Sequence, residues 1–269
     1  MQNREKVCGG KERSIILIII LGYIIYTTFP ASAGVPVWTK ARNGAVYPGI
    51  VPNLNCLRTE GNHIGLISSL SNPYSIKGLT DSFLLTGIHN GSNDLWISWS
   101  LLNHDLYRED RVRLSWTGRM ARSGIKLGLA PGFIGKGVAG FNYETERTIG
   151  ISVSYSWRKL FRLGIRGDLY DLDFYDYEEV KFMVSICDPP VSLLFNYVVP
   201  RRNEDNFLIG LEVNLSGNFC LLSGYDENTN EISTGLVYRR NNWYFGITWN
   251  NHPVLGSTMS AGVGVLWAI

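Results

Sequence analysis

Charged residues in this chain recur at every second position inside otherwise apolar stretches. Arg111 and Arg113 flank Val112, Lys126 lies between Ile125 and Leu127, and Lys181 lies between Val180 and Phe182. Arg162, Gly164, Arg166 and Asp168 alternate with Leu163, Ile165 and Gly167. In extended chain a period of two puts the charges on one face and the apolar residues on the other. The charged face therefore carries Arg111, Arg113, Lys126, Arg162, Arg166 and Lys181 against Asp168 and Glu212. Two readings fit. One is a basic lining that favours anionic head groups or carboxylates. The other is the hydrated, charge-compensated interior of a large barrel, with Arg166 and Asp168 paired on one face.

Other groups with chemical potential point to bland roles. Asp171, Asp173, Asp176, Glu178 and Glu179 crowd one segment with Phe174, Tyr175 and Tyr177, but their spacing lacks the turn glycine of a calcium loop. A solvated or partner-facing loop is expected there. The four histidines, His63, His89, His104 and His252, show no His-x-x-x-His spacing, so no metal site is expected from sequence. His104 beside Asp105 is the one candidate for an activated nucleophile system, and no catalytic residue is assigned. Gly132-Phe133-Ile134-Gly135-Lys136-Gly137 has glycines like a phosphate loop, but no Ser or Thr follows the lysine. It reads as a loop with an apolar tip. No cofactor is implied.

The elements that position these residues are strands. In 243–250 the odd positions are Trp243, Phe245, Ile247 and Trp249, and the even ones Tyr, Gly, Thr and Asn. From Thr258 to Ile269 the pattern repeats, with Met259, Ala261, Val263, Val265 and Trp267 on one face. The same alternation marks segments beginning near His63, Phe83, Leu95, Val112, Ile125, Ile149, Phe161, Val180, Val191, Phe207, Phe219 and Ile232, about fourteen strands in all. No helix pattern is convincing after residue 33. Short links (90–93, 158–159, 188–190, 216–217, 239–241) are expected to alternate with longer polar ones (103–110, 131–147, 171–179, 200–206, 226–230, 251–257). That is the signature of a transmembrane, antiparallel up-and-down β-barrel, with a secreted all-β domain as the alternative. Both termini would be periplasmic.

The chain starts with Arg4, Lys6, Lys11 and Arg13, an apolar run from Ile15 to Phe29, and Ala31-Ser32-Ala33. This reads as a signal peptide over 1–33, cleaved on export to the outer membrane of a Gram-negative bacterium. Residues 34–61, with Pro36, Pro48, Pro52 and Cys56, form an irregular, plug-like segment, and 62–269 form the barrel. The whole chain holds 25 Lys and Arg against 23 Asp and Glu; removing 1–33 takes four basic and two acidic residues, leaving 21 of each. Nothing in that balance calls for a nucleic-acid partner. Cys187 and Cys220 are expected on the inward face, too far apart for a disulfide, so Cys56 could reach either one only from inside the barrel.

Ser71-Asn72-Pro73 resembles the Asn-Pro-Ala element of the FadL-type long-chain fatty-acid transporter barrels, with Tyr74 where that family usually has Ala. Leu106-Tyr107-Arg108-Glu109, Gly224-Tyr225-Asp226 and His252-Pro253-Val254-Leu255-Gly256-Ser257-Thr258 resemble the PorV/PorQ-type branch. The resemblance implies fourteen strands with an N-terminal segment in the lumen. It implies two classes of function: passage of small hydrophobic molecules, or service as an accessory of protein secretion. The partners expected are therefore outer-membrane lipid, a hydrophobic small molecule, and a secreted or secretion-machine protein.

Overall fold

The computed structural model describes residues 61–120, 123–158, 160–170, 177–200 and 204–269. The expected signal peptide, the plug-like segment apart from Gly61, Cys56 and most of loop 171–179 lie outside the described residues.

Among the described residues the chain forms fourteen antiparallel strands closed into one barrel. They are β1 (Asn62–Asn72), β2 (Thr80–Asn90), β3 (Asn93–His104), β4 (Tyr107–Arg119), β5 (Ile125–Val138), β6 (Glu144–Trp157) and β7 (Phe161–Tyr170). The second half holds β8 (Tyr177–Asp188), β9 (Val191–Pro200), β10 (Asn206–Asn214), β11 (Phe219–Asp226), β12 (Glu231–Arg240), β13 (Trp243–His252) and β14 (Gly256–Ala268). Each strand pairs with its neighbours in sequence, and β1 pairs with β14 from His63 opposite Ala268 to Asn72 opposite Met259. A single 3-10 turn, Pro73–Ser75, follows β1.

Alternation sorts the side chains. In β6, Thr148, Gly150, Ser152 and Ser154 are buried on the inner face, while Ile151, Val153 and Tyr155 are exposed on the outer one. Across the outer wall Ile97, Leu114, Leu129, Ile165, Phe195, Ile209 and Ile247 are likewise exposed. A contiguous apolar belt of this extent has no stable place in water, and on a closed barrel it is the lipid-facing surface. Outer-face aromatics gather towards the strand ends, with Phe182, Tyr197 and Phe207 in ring contact on one rim and Phe219, Tyr238, Trp243 and Phe245 on the other.

Two expected loops are strand. The link 103–110 shrinks to 105–106, because Tyr107 to Asp110 continue β4. Gly132 to Gly137 belong to β5, so the link after β5 is only 139–143 and no glycine-rich loop exists there. The reason is local. Gly135 and Gly137 face outward beneath the ring of Tyr143, whose hydroxyl donates to Asp110 at 2.9 Å, so one aromatic ring does the covering that two apolar residues would otherwise do. The strict alternation of long and short links therefore does not hold; the β4–β5 link, 120–124, is as long as the link after β5.

Near the end where both described termini lie, Gly65, Gly87 and Trp96 face one another across β1, β2 and β3. The indole lies over both glycines: a Cβ on Gly65 would come 2.7 Å from the ring, and one on Gly87 would meet the ring and the Trp96 Cα, each at 2.7 Å. Gly65→Ala is expected to cost about 1–3 kcal/mol by overpacking against Leu266 Cδ2 and the indole, and only the indole's part of that cost should disappear in a Trp96→Ala background. The cost of Gly87→Ala should persist there, because its Cβ also meets backbone. Urea unfolding of the two glycine variants, Trp96→Ala and the two double variants, scored by the gel shift between folded and heated barrel, checks both halves.

Candidate functional site

The inner wall carries an apolar arc, interrupted by polar side chains, and a charged arc. Ile67, Leu85, Trp96, Leu222, Val237, Tyr244 and Leu266 belong to one buried cluster, with Phe83 and Cys220. They come from seven successive strands around the wall, β11 to β14 and then β1 to β3. A smaller apolar patch follows on β8 to β10, where Leu194, Val198 and Leu208 pack with Cys187. The two cysteines thus sit in separate apolar clusters, as expected from their strand separation.

The opposite arc, β4 to β8, carries the charges singled out in the sequence. Asp168 on β7 is 3% exposed and is shared by two arginines: Arg166 Nε donates to Oδ2 at 2.7 Å, and Arg113 Nη1 lies 2.9 Å from Oδ1. Arg113 comes from β4 and reaches across β5 and β6, where the inward residues between are small, among them Ala130, Gly132 and Gly150. Lys181 pairs with Glu179 at 2.8 Å, and Arg111 Nε donates at 2.7 Å to Glu109, which also accepts from the Tyr107 hydroxyl. Lys126 stands apart, at the terminal end, 3.5 Å from Asp94. Arg162 lies near the start of β7, and Glu212 is buried on β10.

The lining is therefore charge-compensated rather than basic. Six cations stand against two acids in the sequence pattern because it leaves out the inward-facing Asp94, Glu109 and Glu179 and the Lys136–Glu146 pair. Glu109 hid in the expected loop 103–110. Asp94 was legible, since the tight link after Asn90 puts it opposite His89.

The family-like motif residues meet at the other end. Asn72 and Pro73 open the turn that holds Tyr74 at φ 53°, and the Tyr74 N–H donates to Thr258 Oγ1 at 2.7 Å. Ser75 Oγ donates to the Ser257 carbonyl at 3.2 Å. The Tyr74 ring stands edge-on to His252, centroids 5.6 Å apart. Burial, then Glu231 and Asp226, hold the Tyr74 hydroxyl above its ordinary pKa. His252 Nδ1 accepts from the N–H groups of Val254 and Leu255, which tightens the turn through Pro253 into Gly256 at φ +92°. Tyr107 and Glu109 belong to the charged arc instead.

No protein-family model matches the chain, and no curated protein matches its sequence. Solved structures do match its shape. A structure titled CymD monoaromatic hydrocarbon channel superposes with a TM-score of 0.61 at 9% identity, over 88% of this chain and 98% of that one. The chain has the fold of outer-membrane channel barrels. A Pseudomonas aeruginosa FadL homologue gives 0.55 at 9% identity, over 89% and 99% of the two chains. The Acinetobacter baumannii outer membrane protein Omp33 gives 0.53 at 5%, over 77% and 98%.

Asp168→Asn is expected to destabilise the folded barrel by about 2–3 kcal/mol, because it removes the buried carboxylate that two partly buried guanidinium groups share. Arg113→Gln should cost about 1 kcal/mol, since Asp168 keeps Arg166. Unfolding in urea gives both values; equal costs would mean that Asp168 is not the shared partner.

Proposed function

We propose that this protein is a conduit for small hydrophobic or amphipathic molecules in a Gram-negative outer membrane, exported by removal of 1–33. The observation that carries the reading is the two-faced lumen. Seven strands contribute an apolar band, interrupted by polar residues such as Ser69, Asp81 and Thr248, that can meet a hydrocarbon body, and strands β4 to β8 offer Arg111, Arg113, Arg166, Asp168 and Lys181 to a polar end. Lys126, Arg162 and Glu212 extend that polar lining towards the terminal end. Known small-molecule sites combine the same ingredients, a largely apolar surface with a few placed polar groups. The hydrocarbon channel and FadL homologue that share the fold support the reading. Residues 34–61 act as the plug, because a fourteen-stranded barrel is too wide for side chains alone to fill.

Uptake of a hydrophobic dye such as N-phenylnaphthylamine, which an intact lipopolysaccharide layer excludes, tests the conduit. Cells expressing the protein should take up the dye several-fold faster than cells without it, and Leu85→Arg or Leu222→Arg should abolish the gain while the folded gel band persists. A folded barrel that leaves uptake unchanged and co-purifies with secreted proteins would favour the PorV/PorQ-like accessory role instead. In planar bilayers the intact chain should conduct little, and deletion of 34–61 should open a pore; a large, steady conductance from the intact chain would overturn the plug.

A further inference from the structure

Barrel topology brings together two imidazoles that lie far apart in sequence. His63 on β1 is directly opposite His89 on β2, and the rings stack with centroids 4.8 Å apart and planes 29° from parallel. Asp94 on β3 is the next residue in the same row, directly opposite His89. A row like this has no signature along the chain, since its members belong to three strands.

The hydrogen bonds assign the ring protons. His63 Nδ1 is 3.3 Å from the Gly61 carbonyl, and His89 Nδ1 is bonded to an Asp94 carboxylate oxygen. Carbonyl and carboxylate oxygens only accept, so each ring carries a proton on Nδ1 and, in its neutral form, keeps a lone pair on Nε2. The second carboxylate oxygen of Asp94 lies 3.5 Å from Lys126 Nζ, which helps to hold the carboxylate in place. His63 is 5% exposed, and its Nε2 is buried with no hydrogen-bond partner. A buried acceptor without a donor is an uncommon and costly feature that calls for an explanation.

An imidazole whose Nδ1–H is fixed by a carbonyl or carboxylate while Nε2 stays open is oriented as metal-binding histidines are. We propose that His63 and His89 bind a borderline divalent cation, Zn2+, Ni2+ or Cu2+, through their two Nε2 atoms. Gly61 and Asp94 position the rings, and Asp94 contributes negative charge beside the ion. Imidazole suits these metals over Mg2+ and Ca2+, which take oxygen ligands. Among the described residues no set of three or more His, Cys, Asp or Glu side chains converges on a point, so the remaining coordination positions belong to water or an anionic group. The ion is accordingly exchangeable. The site does not depend on what the lumen carries.

Titration calorimetry with ZnCl2 and NiCl2 on the full, detergent-folded protein near neutral pH tests the proposal. One equivalent per chain is expected. His63→Ala and His89→Ala should each lower the affinity at least tenfold, Asp94→Asn should lower it about 10–100-fold as a positioning change, and His104→Ala should leave it unaltered. The heat-dependent gel shift verifies that each variant is folded, and His63→Gln and His89→Gln replace the alanine variants where it fails. No binding by the parent protein, as expected if a water merely donates to Nε2, overturns the proposal. So does binding that survives in the His63→Ala/His89→Ala double variant.

Discussion

Closure of β1 on β14 is the constraint on which the rest of this structure depends. In hydrocarbon an unpaired strand edge is untenable, so a sheet can cross a membrane only if its first and last strands satisfy each other. Here ten residues of β1 pair with β14, and the Ile269 N–H continues the seam to the Asn62 carbonyl at 3.1 Å. Once no edge remains, the outer face can be apolar throughout and the inner face can hold charge. Closure also builds the lumen's apolar arc, since its members come from the last four strands and the first three. The contact of Tyr74 with Thr258 and His252 crosses the same seam.

Two solutions to one packing problem share the interior. Where the lining is apolar, residues of very different size interlock: Trp96 lies flat on the glycine bed of Gly65 and Gly87, and Leu266 packs close to it. Where the lining is small, on β5 and β6, long side chains cross the gap, and Arg113 reaches Asp168 over alanine and glycine. Burying Asp168 is tolerable because two guanidinium groups attend it; a single buried ion of either sign would be far more costly. The same wall is thus mainly apolar around Trp96 and ion-paired around Asp168.

Much of this was legible in the sequence. The period of two in 149–157, 161–169 and 243–250 located strands and their faces. The failures have physical causes. Residues 107–110 and 132–137 lie towards a rim, where outward positions no longer meet hydrocarbon: Arg108 and Asp110 replace apolar residues, and glycines take cover under Tyr143. Alternation of hydrophobicity fades there while the strand continues. Pro131 sharpened the misreading, but a proline can occupy a strand where its missing N–H is not needed, and Pro131 pairs with Ile149 of β6. What no pattern could show is which residues stand opposite each other. The pairs His63 with His89 and Arg113 with Asp168 depend on register and on reach across several strands.

The division of the lumen into an apolar and a charged arc is the central claim, and the position of a bound ligand tests it most directly. A photoactivatable amphipathic probe, with its reactive group at the hydrocarbon end, should be irradiated in the folded protein and the labelled peptides mapped by mass spectrometry. Labelling is expected on β1 to β3 and β11 to β14, around Leu85, Trp96, Leu222 and Tyr244. Labelling concentrated on β5 to β7, or spread evenly around the barrel, would contradict it.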